Sequence, residues 1–360
     1  MTEQEAMLRA LALAEQGWGR VAPNPLVGTV LLRDGEVIGA GFHAEFGGVH
    51  AEAAALAACD NPAGATCVVN LEPCAHQGKT PPCVSALIAA GVRRVVAALP
   101  DPNPTARGGA AVLRGAGVEV EFGTGAQEAA ALNAPFLWTL RRPGRPFVAL
   151  KVATSLDGFL ADAHGRSQWI SGAEARDFAH WLRAGFDAIA VGHETAVRDD
   201  PELTVRGSVT PRVPPWRVVF ARRRVEPGLK MFGDEGAGRT VVLVAPEARD
   251  PTETVLAGTG VRVIAADGLQ AGVEALGSLG IRSLLVEGGG RLATAFLAAG
   301  LADRVYWVQA PVWLGAGVPA FGSRDPVTLD GARAWSVVER RGLGRDSLLV
   351  VDRELCLPAS

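Results

Sequence analysis

Three residues in the first quarter of the chain have the types and the spacing to hold a metal ion. His50 opens the run His50-Ala51-Glu52, Cys74 follows Glu72-Pro73, and eight residues separate Cys74 from Cys83. One imidazole and two thiolates fill three tetrahedral positions on Zn²⁺ and leave the fourth open, the donor set of a catalytic site. The two thiolates also balance the charge of the ion. Water at such an ion is acidified toward neutral pH, and Glu52 is at hand for general acid–base work without being a ligand. A closed structural zinc site is the competing reading. Chelation separates the two, because it unfolds a domain held by structural zinc and mainly removes activity from a catalytic one.

The elements that must position these residues follow. Residues two apart in mid-helix point in different directions, so His50 and Glu52 belong at the very start of the helix expected over the alanine-rich stretch 53–58. An apolar strand, 67–71, leads to Cys74. A second helix, 84–90, begins beside Cys83, and its positive end favours an anionic sulfur. Upstream, a helix over 3–17 has Met7, Leu8, Leu11 and Leu13 as its core face and Gly17 as its stop. A strand at 30–32, the turn Asp34-Gly35 and a strand at 36–42 form a hairpin. Strands at 94–98 and 118–122 and a helix over 126–140 complete an alternating pattern, which suits a sheet with helices on both faces. Pro23-Asn24-Pro25 and Asp101-Pro102-Asn103-Pro104 are stiff polar turns. Arg142-Pro143-Gly144-Arg145-Pro146 interrupts every periodicity and divides the chain into domains 1–145 and 146–360.

The second domain reads as a mostly parallel sheet. Strands are expected at 147–153, 187–191, 216–220, 240–245, 261–265, 283–286, 304–309 and 347–351, with helices over 173–184 and 292–299. Thr195, Asp199, Asp200 and Pro201 fall in a loop, and the charged, glycine-rich stretch 222–238 reads as an exposed loop. Glu287-Gly288-Gly289-Gly290-Arg291 joins a strand directly to a helix. Such a turn offers backbone N–H groups and a positive helix end to an anion, although it is not the Gly-x-Gly-x-x-Gly dinucleotide fingerprint.

Composition sets the outer bounds. A length of 360 residues allows two full cores, and 48% apolar with 20% charged residues describes an ordinary soluble protein. A net charge of -3 argues against general affinity for nucleic acid. A nucleic-acid-editing zinc deaminase with an accessory domain is the alternative class, but it needs a basic groove bearing aromatics. Here aromatics are 6%, and the basic clusters, Arg141-Arg142 with Arg145 and Arg222-Arg223-Arg224, are short. Beyond the two candidate ligands, Cys59, Cys67 and Cys356 read as free thiols of a reducing compartment. The acidic N-terminus is unlike a signal peptide and no apolar run reaches a membrane span, so a cytoplasmic location is expected.

The loop Cys74-Ala75-His76-Gln77-Gly78-Lys79-Thr80-Pro81-Pro82-Cys83 is wider than in most of the cytidine-deaminase superfamily, where two residues part the cysteines. It resembles the bifunctional riboflavin-biosynthesis deaminase-reductase family. Lys151-x-Ala153-x-Ser155-Leu156-Asp157-Gly158 and Gly165-x-Ser167-x-Trp169-Ile170-Ser171 are similar to the reductase half of that family. The resemblance implies an N-terminal cytidine-deaminase-like three-layer α/β/α domain and a C-terminal dihydrofolate-reductase-like α/β domain. It implies Zn²⁺ on His50, Cys74 and Cys83, with Glu52 as proton shuttle. The pyrimidine ribophosphate would meet Asn24, His43, His76, Lys79, Thr80, Asp101 and Asn103. In the reductase half, Lys151 would be catalytic and Ser167, Arg183, Leu203, Arg206 and Glu287 would contact substrate, the two arginines at its phosphate-bearing end. NADPH would lie on Thr154, Trp169, Thr195, Asp199, Gly289, Gly290, Arg291, Leu292, Ala293, Thr294 and Ala295. Thr154 departs from the smaller residue that related sequences often carry beside the nicotinamide. The implied reactions are hydrolytic deamination of a diaminopyrimidinone ribophosphate and NADPH reduction of its ribosyl unit. The partners expected are this small-molecule substrate and further copies of the chain in a homo-oligomer, with no nucleic acid and no membrane.

Overall fold

The structure is a computed structural model that describes residues 1–77, 81–322, 328, 330, 332, 334–354 and 357. Two compact units are formed, one from Met1 to Arg141 and one from Arg142 to Glu354.

Helix α1 (Glu3–Ala14) starts at a capping box in which Thr2 and Glu5 satisfy each other's backbone N–H groups. Its buried stripe is Ala6, Met7, Ala10, Leu11 and Ala14. Leu8, expected in the core, is 49% exposed and Leu13 is half-buried. Three alanines take the places that leucines were expected to fill. A 3₁₀ turn, Glu15–Gly17, prolongs the helix to the glycine.

Asp34 and Gly35 take φ of 51° and 78°, the left-handed pair that a two-residue hairpin turn requires. They join β1 (Gly28–Arg33) to β2 (Glu36–Phe42). Helix α2 (Ala51–Ala57) lies on this hairpin so closely that a Cβ on Gly41 would come within 2.5 Å of the Ala55 nitrogen. Next come β3 (Thr66–Val69), α3 (Cys83–Ala89), β4 (Arg94–Ala97), α4 (Gly109–Gly115) and β5 (Glu119–Phe122). The sheet order is β2-β1-β3-β4-β5, with β1 antiparallel to both neighbours and the rest parallel. Alternate strand residues face opposite layers. Leu31, Cys67 and Val95 meet Ala55, Leu87 and Leu113 from α2, α3 and α4, whereas α1 packs on β1 and β3 together with α5 (Ala126–Leu132). The single helix expected over 126–140 is instead two, α5 and α6 (Ala134–Arg141), broken at Asn133.

The second unit is built on a nine-stranded sheet. Its elements begin with β6 (Phe147–Thr154), β7 (Phe159–Asp162), α7 (Ala173–Ala184), β8 (Ala188–Gly192), α8 (His193–Asp199) and β9 (Trp216–Phe220). They continue with α9 (Lys230–Gly233), β10 (Thr240–Val244), α10 (Arg249–Val255), β11 (Arg262–Ala265), α11 (Gly268–Ser278) and β12 (Ser283–Val286). The last are α12 (Gly290–Ala298), β13 (Arg304–Gln309), β14 (Gly317–Pro319), β15 (Ser336–Leu343) and β16 (Asp346–Asp352). The order is β11-β10-β9-β8-β12-β6-β13-β16-β15, parallel as far as β13 and antiparallel beyond it, with β7 and β14 as a separate pair. Burial explains the sequence of each part. Every residue of β10 is buried, as a parallel strand covered on both faces demands, whereas β16 alternates.

Three readings of the sequence differ from the structure here. Residues 193–199 are helical, not loop. The stretch 222–238 is not simply exposed, because Val225, Met231 and Phe232 are buried against Ile189, Val219 and Val242. The break between units also lies four residues ahead of the expected 145/146 boundary. Arg145 holds Asp303 at 3.0 Å, and Asp303 in turn takes the Val148 N–H, so the arginine belongs with the second sheet. Among the described residues, no helix is long and apolar enough to cross a membrane.

Candidate functional sites

His50 is the N-cap of α2, with ψ of 156°, and Glu52 lies in the first turn. This is the one place where residues two apart can both turn toward the same point. Cys83 is the first residue of α3, and its backbone N–H donates to the Cys74 sulfur at 3.4 Å. The positive helix end therefore serves Cys74 as well as Cys83. The His50 Nδ1 stands 3.3 Å from the Cys83 Sγ and 3.6 Å from the Cys74 Sγ. Zinc–nitrogen and zinc–sulfur bonds at a tetrahedral angle imply a nitrogen–sulfur separation of ~3.6 Å, so the donor set fits zinc. The three donor atoms lie within 4.8 Å of one another, and no other such group of three occurs among the described residues.

Protonation follows from the crowding. The Cys83 thiol, then His50 and the Cys83 N–H, pull the Cys74 sulfur down to about 4 against the cost of burial. Cys83, facing that thiolate, is pushed up. A divalent cation would displace the protons that these donors hold. Glu52 is buried, at 4% exposure, and burial raises its carboxyl above the ordinary range. A carboxyl so raised takes up a proton more readily than a solvated one, which suits a group that relays protons.

Asn24 stands beside this centre through His43. The His43 Nδ1 donates to the Val49 carbonyl at 2.9 Å, which leaves Nε2 to accept from the Asn24 amide at 3.1 Å. Burial keeps the ring neutral by lowering its pKa. Both His43 nitrogens are thus engaged within the protein. The ring, 5.5 Å from that of His50, aims Asn24 and presents no free nitrogen of its own. The loop behind Asn24 is gripped by two buried amides that sequence reasoning missed. Asn133 takes the Leu26 N–H at 2.8 Å and donates to the Leu26 carbonyl at 2.9 Å. Asn70 shares that carbonyl at 2.8 Å and takes the Gly28 N–H.

The second polar turn is similarly held. Glu72, also missed, is buried and accepts the N–H groups of Asp101 and Ala110 at 2.9 and 2.8 Å. Asp101 is buried and pushed up to about 6, chiefly by that burial. Asn103 spends its side-chain oxygen on Thr105, which is turn chemistry. The His76 Nδ1 is buried without a partner among the described residues. Lys79 and Thr80 lie outside the described residues.

In the second unit, the register Val286↔Leu150 sets Glu287 next to Lys151. Arg183, in the last turn of α7, grips Glu287 with two bonds of 2.8 and 2.6 Å and gives a third to the Thr204 carbonyl at 2.9 Å. Burial alone would raise the Glu287 carboxyl, but Arg183, with Lys151 behind it, holds it below its usual value. Lys151 is lowered by burial, with Arg183 adding to the effect and Glu287 opposing it. Arg206 is exposed and pairs with Glu202. Leu203, at φ of 50°, buries its side chain among Ile189, Val191 and Val219, so only its backbone can face outward.

The Thr195 hydroxyl accepts the Gly289 N–H at 3.1 Å, tying α8 to the glycine turn. A Cβ on Gly290 would meet the Pro319 carbonyl at 2.6 Å, which explains that glycine. Thr294 bonds the Gly290 carbonyl and takes the Gly322 N–H. Leu292 and Ala293 give their N–H groups to Gly289, and Ala293 is buried at 2% exposure. Ala295 is half-buried and Arg291 exposed, the latter paired with Glu194. The Thr154 hydroxyl is buried and accepts from the Trp307 indole at 2.9 Å. Trp169 is 66% exposed under the Arg176 guanidinium, Ser167 is half-buried, and Asp199 pairs with Arg198. Lys151, Arg183, Glu287 and the Thr204 segment form one group and Thr195 with Gly289 another. Among the described residues, no hydrogen bond joins Ser167, Trp169 or Asp199 to either group.

Comparison with known proteins divides the chain in the same way. Residues 1–99 match the family of the cytidine and deoxycytidylate deaminase zinc-binding region, and residues 146–346 match the RibD C-terminal domain. The riboflavin biosynthesis protein RibD of Escherichia coli is 40% identical over 344 residues, covering 88% of this chain and 89% of that one. The RibD of Mycobacterium tuberculosis is 39% identical and covers 96% of both. Among solved structures, a diaminohydroxyphosphoribosylaminopyrimidine deaminase/5-amino-6-(5-phosphoribosylamino)uracil reductase from Thermotoga maritima superposes with a TM-score of 0.81 at 34% identity. That match covers 97% of this chain and 98% of the other. Both halves, and their order along the polypeptide, place the chain in the RibD family of bifunctional riboflavin-biosynthesis deaminase-reductases.

Proposed function

We propose that the first unit deaminates 2,5-diamino-6-(5-phosphoribosylamino)pyrimidin-4-one at ring position 2, and that the second reduces the ribosyl unit of the product to ribityl with NADPH. The observation that carries the first half is the tetrahedral spacing of His50, Cys74 and Cys83 beside a buried Glu52. Zinc held there supplies Lewis acidity to a water nucleophile. Glu52 carries two protons in turn, one from that water to a ring nitrogen and one from the added hydroxyl to the departing amine. Asn24, aimed by His43, and Asp101, its backbone N–H held by Glu72, hold the pyrimidine edge. In the second unit, NADPH supplies the hydride. Lys151 orients the open-chain sugar carbon, and Arg183 acts through Glu287, because its fork is already occupied by that carboxylate. Arg206 is left as the arginine that can exchange a surface carboxylate for the substrate phosphate. The first turn of α12, around Gly289 to Arg291, is the reading for the cofactor phosphates.

Incubating the purified chain with the diaminopyrimidinone ribophosphate tests this directly. Without NADPH the deaminated ribosyl compound alone is expected, and with NADPH the ribityl compound. Failure to form either product from either substrate removes the reading. Metal analysis is expected to find about one zinc per chain, from the three-donor set, and much less in Cys83→Ser. Full zinc in that variant would take Cys83 out of the site.

A further inference from the structure

Helix α7 carries a histidine that no role described above employs. His180 stands one turn before Arg183, on the same helix face, and therefore borders the Arg183–Glu287 pair. The segment after Arg206 lies against it, since a side chain on Gly207 would begin 3.9 Å from the His180 Cβ. The His180 Nδ1 is fully buried with no hydrogen-bond partner among the described residues, on a residue that is itself only half-buried. An apolar side chain at this place would leave no orphaned nitrogen, so the fold itself gains nothing from the polarity of the ring.

The tautomer follows from the geometry. A neutral imidazole has one N–H and one lone pair, and a buried N–H without an acceptor is the rarer and costlier orphan. The lone pair therefore belongs on Nδ1 and the proton on Nε2. Burial, with Arg183 and Arg206 on the same side and Glu287 and Asp177 opposing, holds the ring below its usual pKa and hence neutral at pH 7. The result is a fixed, uncharged donor flanked by two cationic groups.

We propose that His180 is a further substrate-contacting residue of the reductase site, its Nε2–H donating to an oxygen of the substrate's ribose phosphate. The assignment rests on the reductase reading above. It names the recognised chemistry as a sugar-phosphate oxygen and leaves the hydride step to other residues.

Two variants of the full-length chain test it, with steady-state kinetics of NADPH-dependent reduction of the deaminated ribophosphate. A glutamine amide reaches about as far as Nε2, whereas an asparagine amide reaches only the position of Nδ1. His180→Asn is expected to raise KM for the ribophosphate roughly ten- to a hundredfold, the worth of a hydrogen bond to a charged group, while His180→Gln stays within about threefold. KM for NADPH and the rate of deamination should not move in either. If the two variants behave alike, both unaffected or both impaired, the Nε2 donor is refuted. If the unaltered chain does not reduce the ribophosphate at all, the reductase reading fails instead.

Discussion

Replacing Glu52 by glutamine is expected to lower deamination by roughly 10²–10⁴, the usual cost of losing one general acid–base group. The amide is nearly isosteric, so the packing that buries residue 52 is kept, and zinc should stay at its three donors. What disappears is a group that accepts a proton and gives it back. Burial raises the Glu52 carboxyl above its ordinary value, and an amide has no protonation equilibrium at all. Reduction of the already deaminated compound should continue at its normal rate, because its residues all lie beyond Arg142. Paired assays on one preparation decide the matter. Equal loss of both activities, or loss of zinc with deamination, would mean that Glu52 is holding the unit together.

The second large effect is expected at Glu287. Its side chain is 10% exposed and that of Arg183 17%, so Glu287→Leu strands a guanidinium that has lost two of its bonds beside the Lys151 ammonium. Removing one partner of a buried pair costs about 3–5 kcal/mol, and reduction should be lost with it. Deamination should persist. Adding Arg183→Leu removes the stranded charge and should recover part of the stability but none of the reduction. Denaturant unfolding of the single and double variants provides the check. A single variant within about 1 kcal/mol of the parent, the range of an exposed pair, would show that the two charges are held apart by solvent and not by each other.

How far these sites could be read beforehand depended on what kind of physics placed each residue. The metal donors were legible because zinc imposes residue types and few alternatives share them. Strands of the parallel sheet were legible because burial on both faces leaves unbroken apolar runs such as 241–244. Asn133 was not. Its neighbours continue a helical pattern, and the helix breaks there because the side chain bonds a backbone 107 residues away, which no local periodicity can register. Leu8 failed for a related reason. Where alanines form the buried stripe, leucine is no longer a marker of the inside. Met231 and Phe232 are too few among charges to make a pattern, yet both are core. The occupation of Arg183 was not legible, because its partner Glu287 is 104 positions distant.

The double grip of Asn133 on Leu26 also makes an early loop depend on a late residue. The match to the zinc-binding region ends at residue 99, and every zinc donor lies before that point. Yet the turn that carries Asn24 is completed only when residue 133 arrives. Closing a loop of that length costs entropy before any contact repays it, so the turn around Asn24 depends on a far more distant contact than the three donors do. A chain cut after residue 99 would keep every donor and lose the Asn133 grip on that turn.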